Sequence, residues 1–548
     1  AYIGCSSHSM GCLSTVCALF FDEMQALESG HRMIYTAIPE SADFTFTDNV
    51  APREAILAAY GDRTIGIIQG RYDEFFFGDT EGMYYKDFIN HNEAGKEFLG
   101  LADGERGESG TFYNVESGPV MMDGNILRES QTGEHVVYQI NEAHAQNHFS
   151  TTVEGHIIDF FTYAFGDVVT DDMTNCDLTS DNQAWTFKEF GNLIALIGFF
   201  MFIIPFVGLL TKAPVFKAAV TEYTEPVPKL AGAKQTVLVI VSLALAIIPA
   251  VLYVPLMDKV PEKIAVVRIV VIVAAVIMAI IGLCCLPKAK TDETGKFKSY
   301  VKGSFICAII AAALAVVLSI YNAFTLNPFF TSTNTNWSVY WAFCLAFICA
   351  FMGVFMYYFF NKPAGVSLES YGLKVKPKVV GAALLTSAVT IAVSYIILFI
   401  IHSSLVVDFR IWTLAVKTFN GEHFATMLKY LPFYFVFYLA LTVLVNANTR
   451  YMKKAAGMFA SIISVAGGLL AWMIIQYGTF YIGGEAAWSH SGMISIGMLA
   501  ILPCLVVATI YSRKLYEKTN NVWTASFVNA ILFTLMNVAN AIIHWNLV

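Results

Sequence analysis

Tyr2-Ile3-Gly4-Cys5-Ser6-Ser7-His8-Ser9-Met10-Gly11-Cys12 begins as a short apolar strand, passes through a cramped turn of small residues around Ser9, and runs into a helix expected over 10–26. A serine on such a strand–turn–helix corner has its hydroxyl lifted clear of the sheet and its backbone held in a strained conformation. Only small side chains fit two positions before and two positions after it. Gly11 meets the second requirement, and Ser7 stands where glycine is usual in the G-x-S-x-G pattern. Taken alone, the same residues would also suit an ordinary serine cap at a helix start.

Two downstream signals fall in an order that favours the chemical reading. Thr64-Ile65-Gly66-Ile67-Ile68-Gln69 reads as a buried strand and leads at once into Gly70-Arg71-Tyr72-Asp73-Glu74. His135-Val136-Val137-Tyr138-Gln139-Ile140 reads as another strand and leads into Asn141-Glu142-Ala143-His144. Serine, acid and histidine in that order, each after its own strand, is the arrangement of α/β-hydrolases. Ser9 is then the nucleophile, His144 the general base, and Asp73 the group that fixes the imidazole tautomer. The backbone N–H of Met10 supplies an oxyanion donor. His148, one turn past His144 in Asn147-His148-Phe149-Ser150, is an alternative base. His8 is expected to pack against the sheet, His156 to lie on a helix over 151–165, and Asp73 could alternatively cap its own turn.

The remainder reads as a membrane protein. Hydrophobic residues make up 56% of the 548, charged residues only 14%, and the mean hydropathy is +0.58. Residues 1–188 carry 9 Lys and Arg against 30 Asp and Glu, whereas residues 189–548 carry 25 against 12. The break follows an acidic stretch with Asp171, Asp172, Asp177 and Asp181, so the expected organisation is a partial α/β-hydrolase domain over 1–170, an acidic linker over 171–189 and a transmembrane domain over 190–548. The expected fold class is the C-terminal half of an α/β-hydrolase, a partial parallel sheet with flanking helices, followed by an all-α membrane domain.

Ten apolar runs are each long enough to cross a bilayer at about 20 residues per span: 190–211, 235–257, 264–286, 303–324, 338–361, 379–401, 430–448, 455–481, 493–512 and 522–542. Loops after the odd-numbered runs hold 19 Lys and Arg, while the opposite loops hold only Lys259, Lys263, Arg410, Lys417 and Lys429. Positive charge marks the cytoplasmic side, which would put the acidic N-terminal domain and Val548 outside. Ionisable residues inside the runs are nearly absent, apart from Arg268, so an ion-coupled pathway gains no support. Asn529, Asn537 and Asn540 recur along the last run and suit interhelical hydrogen bonding. The ten cysteines show no disulfide framework, and no nucleotide-binding loop, metal-ligand spacing or nucleic-acid face stands out. Hence no cofactor and no metal are expected.

The chain resembles a group of bacterial multi-pass membrane proteins with an extracytoplasmic α/β-hydrolase domain. The resemblance rests on S-H-S-M-G at 7–11, G-R-Y-D-E-F-F at 70–76, N-H-F-S at 147–150 and D-F-R-I-W at 408–412. It implies a serine-hydrolase fold in the bacterial cell membrane and leaves the substrate open. The leading expectation is a membrane-anchored serine hydrolase that cleaves ester or amide bonds of a small-molecule, lipid, lipopeptide or peptide substrate at the outer surface, in contact with membrane lipid. The competing reading is a transporter or membrane partner protein whose hydrolase-like domain is inert. Because the chain opens at Ala1 directly on the strand before Ser9, it is expected to be a fragment. The first half of the sheet, a signal or anchor helix and the second oxyanion N–H would then lie upstream. Segments 39–60 and 77–126, rich in aromatics and acids, are expected to form lids, and Asp123-Gly124 a hairpin turn.

Overall fold

The structure, a computed structural model, describes residues 2–47, 50–77, 86–166, 179–324, 329–488 and 491–544. The expected linker residues Asp171, Asp172, Cys176 and Asp177 and the aromatics Tyr84 and Tyr85 lie outside them. Two compact units are present: Ala1–Phe187 with Ile474–Gly492, and Lys188–Met473 with Met493–Val548.

In the first unit, strand β1 (Ile3–His8) leads into helix α1 (Met10–Ser29), and β2 (Ile34–Glu40) is followed by α2 (Arg53–Tyr60). Then come β3 (Thr64–Tyr72), the short helices α3 (Phe88–His91) and α4 (Glu93–Phe98), and the strands β4 (Phe112–Glu116), β5 (Val120–Met122) and β6 (Asn125–Arg128). Strand β7 (Thr132–Ala143), α5 (His144–Asn147) and α6 (Thr151–Phe165) complete it. The main sheet has the order β1-β2-β3-β7-β4. Its first four strands are parallel, and β4 joins β7 antiparallel. The sheet is therefore mixed, not purely parallel as the sequence suggested. The connection from β4 to β7 carries only the β5–β6 hairpin, so the two strands can pair antiparallel without a crossover helix.

Period-two alternation sorts the central strands between two cores. Ile65, Ile67 and Val137 face α1, α2 and the α3–α4 pair, with Val16, Leu19, Ile56, Tyr60, Phe88 and Phe98. Ile68, Val136, Tyr138 and Ile140 face α6, with Val153 and Phe160. Gly66 belongs to the second face, where an added Cβ would come within 3.0 Å of Phe160 and Ile38, so α6 approaches the sheet closely at that point. Residues 48–49 and 78–85 of the two segments expected as lids lie outside the described residues; the described parts supply core, with Phe44, Tyr60, Phe77, Phe88, Ile89 and Phe98 all buried in the first cluster. Asp123 and Gly124 do turn a β5–β6 hairpin, both at positive φ (50° and 78°), the signature of a type I′ turn.

A buried ionic network ties the ends of these elements together. Arg63, before β3, donates to Asp22 Oδ2 (3.0 Å) and Glu23 Oε2 (2.9 Å) on α1 and to the Ile34 carbonyl (2.9 Å). Arg32 and Arg128 also pair with Glu23. Asp22 in turn accepts from the backbone N–H groups of Met33 and Ile34.

The second unit is helical: α7 (Trp185–Leu210), which begins in the first unit, α8 (Ala233–Val251), the short α9 (Tyr253–Met257), α10 (Pro261–Lys290), α11 (Lys296–Ser319), α12 (Thr333–Met356), α13 (Pro377–Leu405), the hairpin β8 (Phe409–Ile411) and β9 (Leu414–Val416), α14 (Gly421–Thr449), α15 (Lys454–Gly483), α16 (Gly492–Thr519) and α17 (Trp523–Ala539). Among the described residues, nine of these helices are long and apolar enough to cross a membrane, while α17 has only 17 residues. Ten full-length spans were expected; the last ends early because Asn540 stops the helix, its amide bonding the Met536 and Ala415 carbonyls. Helices α8 and α15 touch backbone to backbone at Gly468, where a Cβ would lie 1.9 Å from the Ala246 oxygen, a close approach that only a glycine allows. Arg410 on β8 pairs with Glu189 on α7 at 2.8 Å. All nine cysteines among the described residues are free.

Removing one partner of a buried ion pair leaves an uncompensated charge. Arg63→Ala is expected to destabilise the first unit by about 3 kcal/mol, at the low end of the range because Glu23 keeps Arg32 and Arg128. Thermal or denaturant unfolding of the full chain in detergent measures this.

Candidate functional site

Parallel strands with helical crossovers end on one edge of the sheet, and the expected site residues stand there. Ser9 follows β1, Asp73 follows β3, and His144 follows β7. His144 Nδ1–H donates to Asp73 Oδ2 at 2.7 Å, and Ser9 Oγ donates to His144 Nε2 at 2.8 Å. One imidazole thus bridges the two other groups. Asp73 is 0% and His144 3% exposed, whereas Ser9 is only partly covered and Met10 is 71% exposed. Ser9 is thus the partly exposed member, and the two groups behind it are buried.

Backbone geometry explains how each side chain is held. Ser9 has φ 57° and ψ −121°, a conformation that costs a non-glycine residue about 1–3 kcal/mol. Its N–H donates to the Glu40 carbonyl at 3.0 Å, which ties the turn to the end of β2. At Gly11 an added Cβ would come within 3.2 Å of Ser7 Cβ, tighter than an ordinary contact. Ser7 is small enough to fit and also accepts a hydrogen bond from Thr15 (2.7 Å). Met10 opens α1, so its N–H has no carbonyl of the helix to bond and lies at the positive end of the helix dipole.

Asp73 is oriented by its own turn. Its Oδ1 accepts from the N–H groups of Phe75 and Phe76, both at 2.8 Å. This is the self-capping turn weighed as the alternative for Asp73, and the side chain does both jobs at once. Lys86, nearly buried, ties the same turn through the Asp73 carbonyl (2.7 Å) and the Phe76 carbonyl. Phe75 and Phe76 pack on the His144 ring, at 4.6 and 5.6 Å between centroids.

His148 is not the residue that meets Ser9; it packs on His8 with centroids 4.9 Å apart. His8 does more than pack against the sheet. Its Nε2–H donates to the His144 carbonyl at 3.1 Å, and its ring contacts that of His144. Burial, then the neighbouring His144 and His148, push His8 down to about 4, so it stays neutral. His156 lies on α6 as expected and stacks on Tyr138. Cys12 is unsuited as a nucleophile, because burial pushes its thiol up to about 12.

Glu74 is a participant that sequence reading passed over. Its Oε2 accepts the His144 N–H at 2.9 Å and so fixes the start of α5. Its other oxygen is buried without a partner, and burial beside Asp73 raises the carboxyl to about 7. The one available signal was its adjacency to Asp73 at a strand end. Glu40 is similar: one oxygen is buried and unpartnered, and burial, reinforced by Glu154 and Glu142, raises it to about 8. Among the described residues, no group of three or more His, Cys, Asp and Glu is placed to hold a metal ion.

A carboxyl whose pKa is raised in the folded state binds its proton more tightly there than in the unfolded chain. The stability it permits is complete below the ordinary carboxylate pKa and is lost as pH rises toward about 7 for Glu74 and about 8 for Glu40. Glu40→Gln is therefore expected to raise the unfolding temperature of the full chain at about pH 8.5 and to change it little at about pH 4. Thermal scans of the two proteins at both pH values check the sign. No protein-family model matches this chain, and neither a curated protein nor a solved structure matches it significantly.

Proposed function

We propose that the first unit is an α/β-hydrolase-type domain, and that the protein is a membrane-anchored serine hydrolase. The observation that carries this reading is the continuous hydrogen-bonded line from Ser9 Oγ through the His144 ring to Asp73. Ser9 on a positive-φ corner at the start of a helix adds to it. In the reaction, Ser9 Oγ attacks a carbonyl carbon while His144 Nε2 takes its proton. The oxyanion collects on the Met10 N–H, and the imidazolium is held by Asp73 Oδ2. Collapse of the intermediate expels the alcohol or amine, which receives the proton from His144. Water or another acceptor, deprotonated by His144, then releases the acyl group from Ser9.

The substrate class is an ester or amide of a lipid, lipopeptide or peptide. The acidic first unit disfavours polyanions. The 19 basic residues in alternate loops of the helical unit support an orientation with the hydrolase unit outside the cytoplasm. No specific observation favours the transporter reading, since ionisable groups are scarce within the helices.

A fluorophosphonate probe on the full chain in detergent tests the reading. Wild type is expected to label, and Ser9→Ala to show none. Asp73→Asn should slow labelling by a factor on the order of 10⁴, whereas His148→Ala should label at the wild-type rate. A folded wild type that does not label would overturn the enzyme reading and leave a binding module.

A further inference from the structure

The helical unit holds a cavity of about 290 Å³ between α12, α14, α16, α17 and the β8–β9 turn. This is close to the lower end of the roughly 300–1,000 Å³ typical of small-ligand sites. We propose that it binds an uncharged, hydroxyl-bearing amphiphile: a long apolar chain with an alcohol or glycerol end. The proposal is independent of the Ser9 chemistry.

Charge is the first argument. Among the described residues that line the cavity, none is Asp, Glu, Lys, Arg or His. A charged ligand would shed its hydration there and meet no counter-charge, at a cost of several kcal/mol. Most of the wall is apolar and aromatic, including Trp337, Trp341, Phe437, Leu505, Phe533 and Met536. Such a surface suits an acyl or alkyl chain.

Hydrogen-bond accounting supplies the head group. Asn537 donates both amide hydrogens, to Ser338 Oγ at 2.9 Å and to Tyr434 OH at 3.3 Å. Its oxygen accepts from Thr335 Oγ1 at 2.8 Å, which leaves one lone pair. Asn540, an exposed residue, likewise commits its amide N–H groups to the Ala415 and Met536 carbonyls, at 2.9 and 2.8 Å, and keeps an oxygen that solvent or a ligand can reach. These two side chains therefore offer acceptors whose donors are already committed. A ligand completes them only by bringing an O–H or N–H of its own. A neutral hydroxyl does so, and it can also accept from the amide of Asn334, which lines the same cavity. An ester or ketone, having no donor, cannot.

The test uses the full chain in nanodiscs with a diazirine-bearing long-chain alcohol, photolysed and mapped by mass spectrometry. Adducts are expected on Trp337–Trp341 and Met493–Leu505. Excess monoolein or unlabelled long-chain alcohol should suppress them, the two competitors separating a glycerolipid from a free alcohol as the source. A fatty acid, an alkyltrimethylammonium salt or a methyl ester of equal chain length should not. Ala500→Phe, which fills the cavity from α16, is expected to lower these adducts by about tenfold or more. Adducts spread evenly over the helices, or equal competition by the charged amphiphiles, would overturn the proposal. The competition series decides it even if the filled variant fails to fold.

Discussion

Everything at the candidate site depends on four parallel strands ending at one edge of one sheet. Parallel pairing forces each connection to cross back over a face, so every strand delivers its following residue to the same rim. Ser9, Glu40, Asp73 and His144 reach that rim from β1, β2, β3 and β7 without any long loop to steer them. Register does the positioning: His8 lies opposite Glu40, and Tyr72 opposite Ala143. The antiparallel β4 is added beyond β7, at the far edge from β1, and leaves this convergence intact.

The rim is crowded with carboxyl groups, and burial differentiates them. Asp73 has both oxygens engaged, one by two backbone N–H groups and one by an imidazole N–H. Glu40 and Glu74 each keep a buried oxygen without a partner, and both are pushed toward the protonated form. His8, held neutral by burial, adds a hydrogen bond to the His144 backbone without adding a competing positive charge. Glu74 clamps the same residue through its N–H, so His144 is held by its side chain and by both of its peptide groups.

Much of this was legible because the signals are local. The β1–α1 corner, β3 and β7 follow from apolar runs bounded by glycine and polar residues, and α6 occupies Thr151–Phe165, where the sequence placed it. His144 was the expected base and His148 the alternative, and local signals alone did not decide between them. Both follow β7 within a few residues, and only the short α5 turn, pinned by Glu74, sends the first toward Ser9 and the second toward His8. The contribution of 39–60 and 77–126 to the core was hidden for a related reason. Aromatic residues mixed with acids describe a mobile cover and a tightly packed crossover equally well, and here Phe77, Phe88 and Phe98 are core. Strand β4 escaped notice since Phe112-Tyr113-Asn114-Val115-Glu116 has no clean alternation and borrows its stability from β7.

The asparagines of α17 show how polar groups in an apolar bundle acquire meaning only through their partners. In sequence, Asn529, Asn537 and Asn540 form a weak stripe that suits any interhelical contact. In the structure, Asn529 spends its amide on the Ala508 carbonyl and Ser512. Asn537 joins Ser338, Tyr434 and Thr335 at the edge of a cavity. A hydrogen-bond network without ionisable members is inexpensive to bury when it is complete. What such a network leaves unfilled is then selective, because the missing partner must be both neutral and of the right polarity. The lack of charged side chains among the described residues of its wall is, by the same physics, what suits this cavity to a neutral amphiphile.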